Sequence, residues 1–199
     1  MAGGLSGKEV VAGLDGALQK EVICLKVDGE LADLSVQLPE VAAVSLVQRS
    51  DPEALVVLRH SAAHIMAQAV KEIFPGAKLA IGPAIENGFY YDFDLPRPLA
   101  PEDLTAIEAG MKKIVKADYP FTCQLVAKEE ALAGLSAAGE KYKAELVGEL
   151  NDGEISFYQQ GDFSDLCRGP HLPSTRYLKA FKLTSIAGAY WRGDSSREM

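Results

Sequence analysis

All three histidines of the 199-residue chain lie in two short motifs, and one of its three cysteines joins them. "HSAAH" sets His60 and His64 four residues apart, and "CRGPH" sets Cys167 and His171 at the same spacing. Two imidazoles, a thiol and a third imidazole are the donor set of a tetrahedral zinc site. The same side chains can hold a water and move its protons without a metal. Packing is the third reading, since a lone cysteine is most often a small buried hydrophobe. Spacing alone leaves the three open.

Other chemistries are poorly served. "GGLSGKE" lacks the spacing and the terminal Ser/Thr of a phosphate loop. The sequence has no H-E-x-x-H, no G-x-S-x-G, and no H-x-E with P-C-x-x-C. Asp92 and Asp94 in "YYDFDL" suit the polar face of a strand better than a metal pair.

The elements that must position the two motifs follow from pattern. A long helix is expected from Pro52 to Phe74, capped by Asp51 with Pro52 in its first turn and stopped by Pro75-Gly76. A spacing of four puts His60 and His64 on one face, a turn apart. At about 100° per residue, Leu55, Leu58, Ile65, Met66, Ala69 and Ile73 gather on nearly the opposite face. Gly169-Pro170 forbids a helix in "CRGPH" and implies a shaped loop.

Upstream, Lys8–Leu18 reads as a short helix. "EVICLKVDGELADLSVQL" reads as a hairpin about Asp28-Gly29, and "AAVSLVQ" as a third strand. Downstream, "KLAIGPAIENGFYYDFDL" gives strands broken by turns, and "PEDLTAIEAGMKKIVKA" an amphipathic helix. The strand "FTCQLVA" and helical stretches over Lys128–Leu150 come next, and "EISFYQQ" and "AFKLTSIAGAYW" are the closing strands. This mixed order without βαβ regularity predicts an α+β fold, with a small unit over residues 1–50 and a larger one over 51–199.

Composition bounds the rest. The chain is 48% hydrophobic and 24% charged, enough for a real core, and has no apolar run long enough to span a membrane. Three scattered cysteines fit a reducing cytoplasm better than a disulfide framework. A net charge of −8 argues against a general nucleic-acid binder. Between Leu166 and Arg197, however, six basic residues face one acid, giving +5 there and −13 elsewhere. That segment is either a solvated face or an anchor for a phosphate-bearing substrate.

"HSAAHIMAQAV", "AIGPAIENGFYYDFDL", "EKYKAEL", "DLCRGPHLPS" and "IAGAYWRGDS" resemble, in order, blocks of the N-terminal region of bacterial-type threonyl-tRNA synthetases. The resemblance runs from about Arg59 to Met199. It implies the editing domain shared with alanyl-tRNA synthetases for residues 51–199. Residues 1–50 resemble the small ubiquitin-like (β-grasp) TGS domain, but the strands expected before its first helix are missing or very short, which leaves its completeness open. The resemblance further implies a fragment without an aminoacylation core.

The implied activity is hydrolysis of serine wrongly esterified to the threonine tRNA. Carried over residue by residue, His60 and Lys143 are the catalytic pair, with His64, Tyr91, Asp165, Cys167 and His171 lining the substrate pocket. Asp165 would recognise the α-ammonium group and Tyr91 would form a wall. No cofactor is expected, because the threonine-specific editing domains resemble a metal-free version. If zinc is bound, its ligands are His60, His64, Cys167 and His171. The implied partners are the acceptor end of tRNA(Thr) carrying serine and the remainder of the synthetase. Two other classes compete: a zinc-dependent deacylase of the alanine-editing type, and a non-catalytic tRNA-binding module.

Overall fold

The computed structural model describes residues 4–197 and 199, and is a mixed α/β structure with six α-helices and several small antiparallel sheets among those residues. Two short helices come first, α1 (Gly7–Ala12) and α2 (Gly16–Glu21). The sequence predicts one helix here. The break arises because Ser6 caps α1 with Glu9 in a reciprocal box, and Asp15 then caps a new helix through the amides of Ala17 and Leu18. Strands β1 (Val22–Val27), β2 (Glu30–Ala32) and β3 (Val44–Gln48) form an antiparallel sheet in the order β2-β1-β3. The expected hairpin is present: Asp28 and Gly29 both have positive φ, 49° and 94°, as a tight two-residue turn requires. Val11, Val22, Leu25 and Leu34 make a small core on one side of this sheet. Ile23, Cys24 and Val47 join the main core on the other.

That main core is built around α3 (Ala54–Ile73), packed on α4 (Pro101–Ala117). Helix α3 starts two residues later than expected, and Asp51 does not cap it. The Asp51 carboxylate accepts instead from the Gln48 amide, at 2.7 Å, closing the turn that leads out of β3. Every residue of α3 from Ser61 to Val70 is buried, so the helix has no solvent face there. The apolar stripe read from sequence is one wall, and the histidine face is another wall, covered by other chain segments.

Those segments are short. Strands β4 (Lys78–Leu79) and β7 (Phe93–Asp94) pair, as do β5 (Ala84–Ile85) and β6 (Gly88–Phe89). After α4 come β8 (Thr122–Leu125), α5 (Lys128–Ala137) and α6 (Lys141–Glu149). Strands β9 (Ser156–Gln160) and β10 (Phe163–Leu166) complete a sheet ordered β10-β9-β8. The closing strand expected over "AFKLTSIAGAYW" does not form: residues 178–189 run without a strand. Side-chain ties replace the ladder, with the Glu108 carboxylate of α4 accepting from the Leu183 amide and pairing with Lys182. Further along, Trp191, 2% exposed, packs on Tyr142 of α6 and donates its indole N–H to Glu145.

Candidate functional site

The two motifs meet. His60 and His64 project from α3 toward the loop that follows β10, which carries Cys167 and His171. Cys167 Sγ lies 3.2 Å from His60 Nε2 and 3.3 Å from His171 Nε2. The His171 ring is 4.3 Å from that of His60 and 4.2 Å from that of His64, centroid to centroid. One donor atom from each of the four residues falls within 4.8 Å of all the others.

Burial decides the protonation of this cluster. Desolvation disfavours the imidazolium and pushes all three histidines below their ordinary range, His64 to about 3. They are neutral imidazoles at physiological pH. Burial likewise pushes the Cys167 thiol up to about 12, although the Gly169 N–H, 3.2 Å from the sulfur, works the other way.

Beside the imidazoles sits a charged group. Lys143 of α6 reaches inward and places Nζ 2.8 Å from Asp165 Oδ1 of β10, with 4% and 3% of the two residues exposed. The second Asp165 oxygen accepts from the Tyr91 hydroxyl and faces His64 Nε2 at 3.9 Å. That last contact is not an ion pair, because His64 is neutral. Burial alone would raise the Asp165 carboxyl, but the Lys143 ammonium and the Tyr91 hydroxyl hold it below its usual range. Lys143 also lies over the Tyr91 ring, 5.5 Å from its centroid. Tyr91, in the segment between β6 and β7, stacks on Phe93 and is backed by Gly82, where a Cβ would run into the ring.

All seven residues singled out from the sequence are therefore within one contact network. Four further residues had no signal at that level. The Ser61 hydroxyl bridges His171 Nδ1 at 3.0 Å and the Leu172 amide at 3.1 Å. Phe121 stacks flat on His171, Phe163 meets His64 edge-on, and Tyr158 tilts against His171 at 4.6 Å. A cleft of about 610 Å³ adjoins the charged pair, with Gln68, Leu79, Phe163 and Leu166 among its walls. Two buried polar atoms here have no partner among the described residues, His64 Nδ1 and Gln68 Oε1.

The donor set fits a zinc ion. Ser61 can accept the Nδ1–H of His171, turning its Nε2 lone pair toward the other three donors, the usual support for a metal-bound imidazole. The orphaned His64 Nδ1 equally suits a water. The Asp92/Asp94 pair is not such a site, because Asp94 is tied to Lys141 at 2.8 Å and to the Tyr142 hydroxyl at 3.0 Å.

The basic C-terminal segment is largely neutralised by the acidic body. Arg176 pairs with Asp118, Lys182 with Glu108, and Arg192 and Arg197 with Glu145, Arg192 also with Glu149. Arg168 and Lys179 make no ion pair among the described residues, and both are exposed.

Comparison with known proteins places the chain in kind. Residues 155–199 match the family model described as the threonyl and alanyl tRNA synthetase second additional domain, a stretch that carries Asp165, Cys167 and His171. Over 199 residues the chain is 52% identical to the threonine–tRNA ligase of Pelobacter propionicus, covering 100% of this chain and 31% of the relative's length. It is 52% identical over 196 residues to the threonine–tRNA ligases of a Geobacter species (98% of this chain, 31% of the relative) and of Carboxydothermus hydrogenoformans (98% and 31%). The resemblance to the N-terminal part of bacterial threonine–tRNA ligases thus holds along the whole chain, which spans about a third of their length. No described helix is long and apolar enough to cross a membrane.

Proposed function

We propose that this chain hydrolyses the ester of serine mischarged onto tRNA(Thr), as the proofreading part of a threonine–tRNA ligase acting in the cytoplasm with the remainder of the synthetase. The observation that carries the reading is the buried Lys143–Asp165–Tyr91 network set against three neutral imidazoles. Residues 51–199 are read as the editing unit. Residues 1–50 are read as a TGS-like β-grasp unit, in which α1 and α2 precede the sheet β2-β1-β3.

Ester hydrolysis needs a positioned water, a proton carrier and a stabiliser for the oxyanion. His60, half-buried and neutral, is suited to take a proton from the attacking water and return it to the ribose oxygen as the ester bond breaks. Lys143 brings a positive charge to the developing oxyanion, a contribution typically worth about 10²–10³-fold. Asp165 is already engaged by Lys143 and Tyr91, yet a carboxylate has about four acceptor directions, so it can also receive a substrate ammonium. His64, Cys167 and His171 line the pocket, with Tyr91 as its wall.

Serine and threonine differ by one methyl, worth only about 1–3 kcal/mol to a binding site. A second site that excludes the larger residue solves this by size, and Tyr91, held from behind by Gly82 and Phe93, is rigid enough to do so. Deacylation of seryl- and threonyl-tRNA(Thr) tests the reading. Hydrolysis of the seryl ester with sparing of the threonyl ester is expected, and equal hydrolysis of both would overturn it.

The convergence of His60, His64, Cys167 and His171 supports a second reading, a zinc-dependent deacylase of the alanine-editing type. In that case the ion would supply Lewis-acid activation of a water. Alanyl-tRNA is the substrate that separates the two. Binding of tRNA without any deacylation would leave only the non-catalytic module.

A further inference from the structure

Tyr158 lies mid-strand in β9, paired with Asp165 of β10 on one side and Cys123 of β8 on the other. Its ring rests against His171, 4.6 Å between centroids. The backbone of the site loop lies directly on its hydroxyl: Gly169 has φ 71°, and a Cβ there would run into the phenol oxygen. That same Gly169 donates its N–H to Cys167 Sγ. Two residues before Tyr158, Ser156 donates its hydroxyl to the Cys167 carbonyl. The face of β9 is thus the bed on which the Cys167–His171 loop is laid.

Besides the weak thiol of Cys123 on the neighbouring strand, the phenol meets a carboxylate, and that group comes from the first fifty residues. Tyr158 donates its hydroxyl to Asp33 Oδ2, across 125 residues of sequence. Asp33 follows β2, and its other oxygen accepts from the Ser35 amide at 2.8 Å and from the Ser35 hydroxyl. The carboxylate is therefore fixed at both ends, in a unit whose sheet also packs on α3 through Ile23, Cys24 and Val47.

We propose that Asp33 is a positioning residue for the site: through Tyr158 it sets where Gly169 and His171 stand, so the small N-terminal unit holds one wall of the pocket in place. This rests on the hydrolytic reading above for its kinetic consequence, but not for its structural one. A phenol freed from Asp33 can slide along the sheet, and the loop resting on it moves with it. Misplacement by an ångström costs a reacting geometry up to about 10²-fold.

The test uses the full chain with Asp33→Ala, Asp33→Asn and Tyr158→Phe, the last retaining the ring and its packing. Seryl-tRNA(Thr) deacylation is followed alongside the long-range ¹H–¹⁵N spectrum of the three histidine rings. Asp33→Ala and Tyr158→Phe are each expected to lower kcat about tenfold with KM within about twofold, and to shift the His171 resonances. Asp33→Asn, whose amide oxygen can still accept from Ser35 while its NH2 donates to the phenol oxygen, is expected to restore most of both. The double variant Asp33→Ala/Tyr158→Phe is no slower than either single change, because the two act as one device. A bond that merely fastened the two units together would lower the melting temperature and leave kcat and the His171 resonances unmoved, which overturns the proposal, as does multiplicative loss in the double variant. Should the unaltered chain hydrolyse no ester, the hydrolytic reading fails on its own, while the His171 shifts still decide the positioning.

Discussion

Lys143 Nζ and Asp165 Oδ1 stand 2.8 Å apart with both side chains almost wholly buried, and the ammonium holds the Asp165 carboxyl below its usual range. Removing one partner of a buried pair leaves an uncompensated charge, at a cost of about 3–5 kcal/mol. Lys143→Ala should therefore lose deacylation by about 10²–10³-fold and stability as well. Lys143→Met/Asp165→Leu should recover much of the stability and none of the activity. Urea unfolding beside deacylation rates checks both halves.

The metal question has a direct measurement. For the metal-free reading, chain purified without chelator should carry far less than one zinc per molecule, and chelators should leave deacylation unchanged. Stoichiometric zinc, lost together in Cys167→Ala and His171→Ala, would promote the zinc-dependent reading. In that case the Cys167 sulfur, otherwise a thiol with its pKa near 12, would be a thiolate at neutral pH.

Burial of the imidazoles ties stability to pH. His64 falls from an ordinary 6.5 to about 3 in the folded chain, so the unfolded chain binds its proton first. The associated stability is fully present above pH 6.5 and is lost progressively as pH falls toward 3, at up to about 1.4 kcal/mol per pH unit. His60 and His171 are lowered in the same direction and add to the slope. His64→Gln should flatten the decline between pH 6.5 and 4.5 without abolishing it. Unfolding midpoints across that range supply the test.

With Arg176, Lys182, Arg192 and Arg197 engaged by acids of the body, few cations are left for phosphates. Affinity for tRNA should be weak and only modestly salt-dependent, about 0.7 per phosphate contact on a log–log plot for a single-stranded end. Arg168→Ala, on the site loop itself, should lower the slope by about one contact. A steep slope would mean a footprint well beyond this segment.

Much of the architecture is legible in the sequence where a local signal is strong. Asp28-Gly29 announces its hairpin, and Pro101 with the period of "LTAIEAGMKKIV" announces α4. Of the seven site residues, spacing singles out His60, His64, Cys167 and His171, whereas Lys143, Tyr91 and Asp165 are reached only through the resemblance. What was not legible depends on partners distant in sequence. Strand β10 is four residues long and follows a two-residue Gly161-Asp162 turn, so it carries too little pattern to be read alone. The apolar run at residues 180–191 looks like a strand but finds side-chain anchors instead of a ladder. The histidine face of α3 reads as opposed to the core, and is in fact enclosed by β10, the following loop and Phe121. No periodicity distinguishes a face turned to solvent from one turned to a second wall.

The single tryptophan gives the molecule an optical gauge of its own. Trp191 is clamped against Tyr142, the residue immediately before Lys143, and its indole is tethered to Glu145 two residues after it. Its emission therefore reports on the turn of α6 that delivers the ammonium to the pocket. Any occupant that draws Lys143 toward itself should alter that emission, so filling of the site can be followed by intrinsic fluorescence without a label.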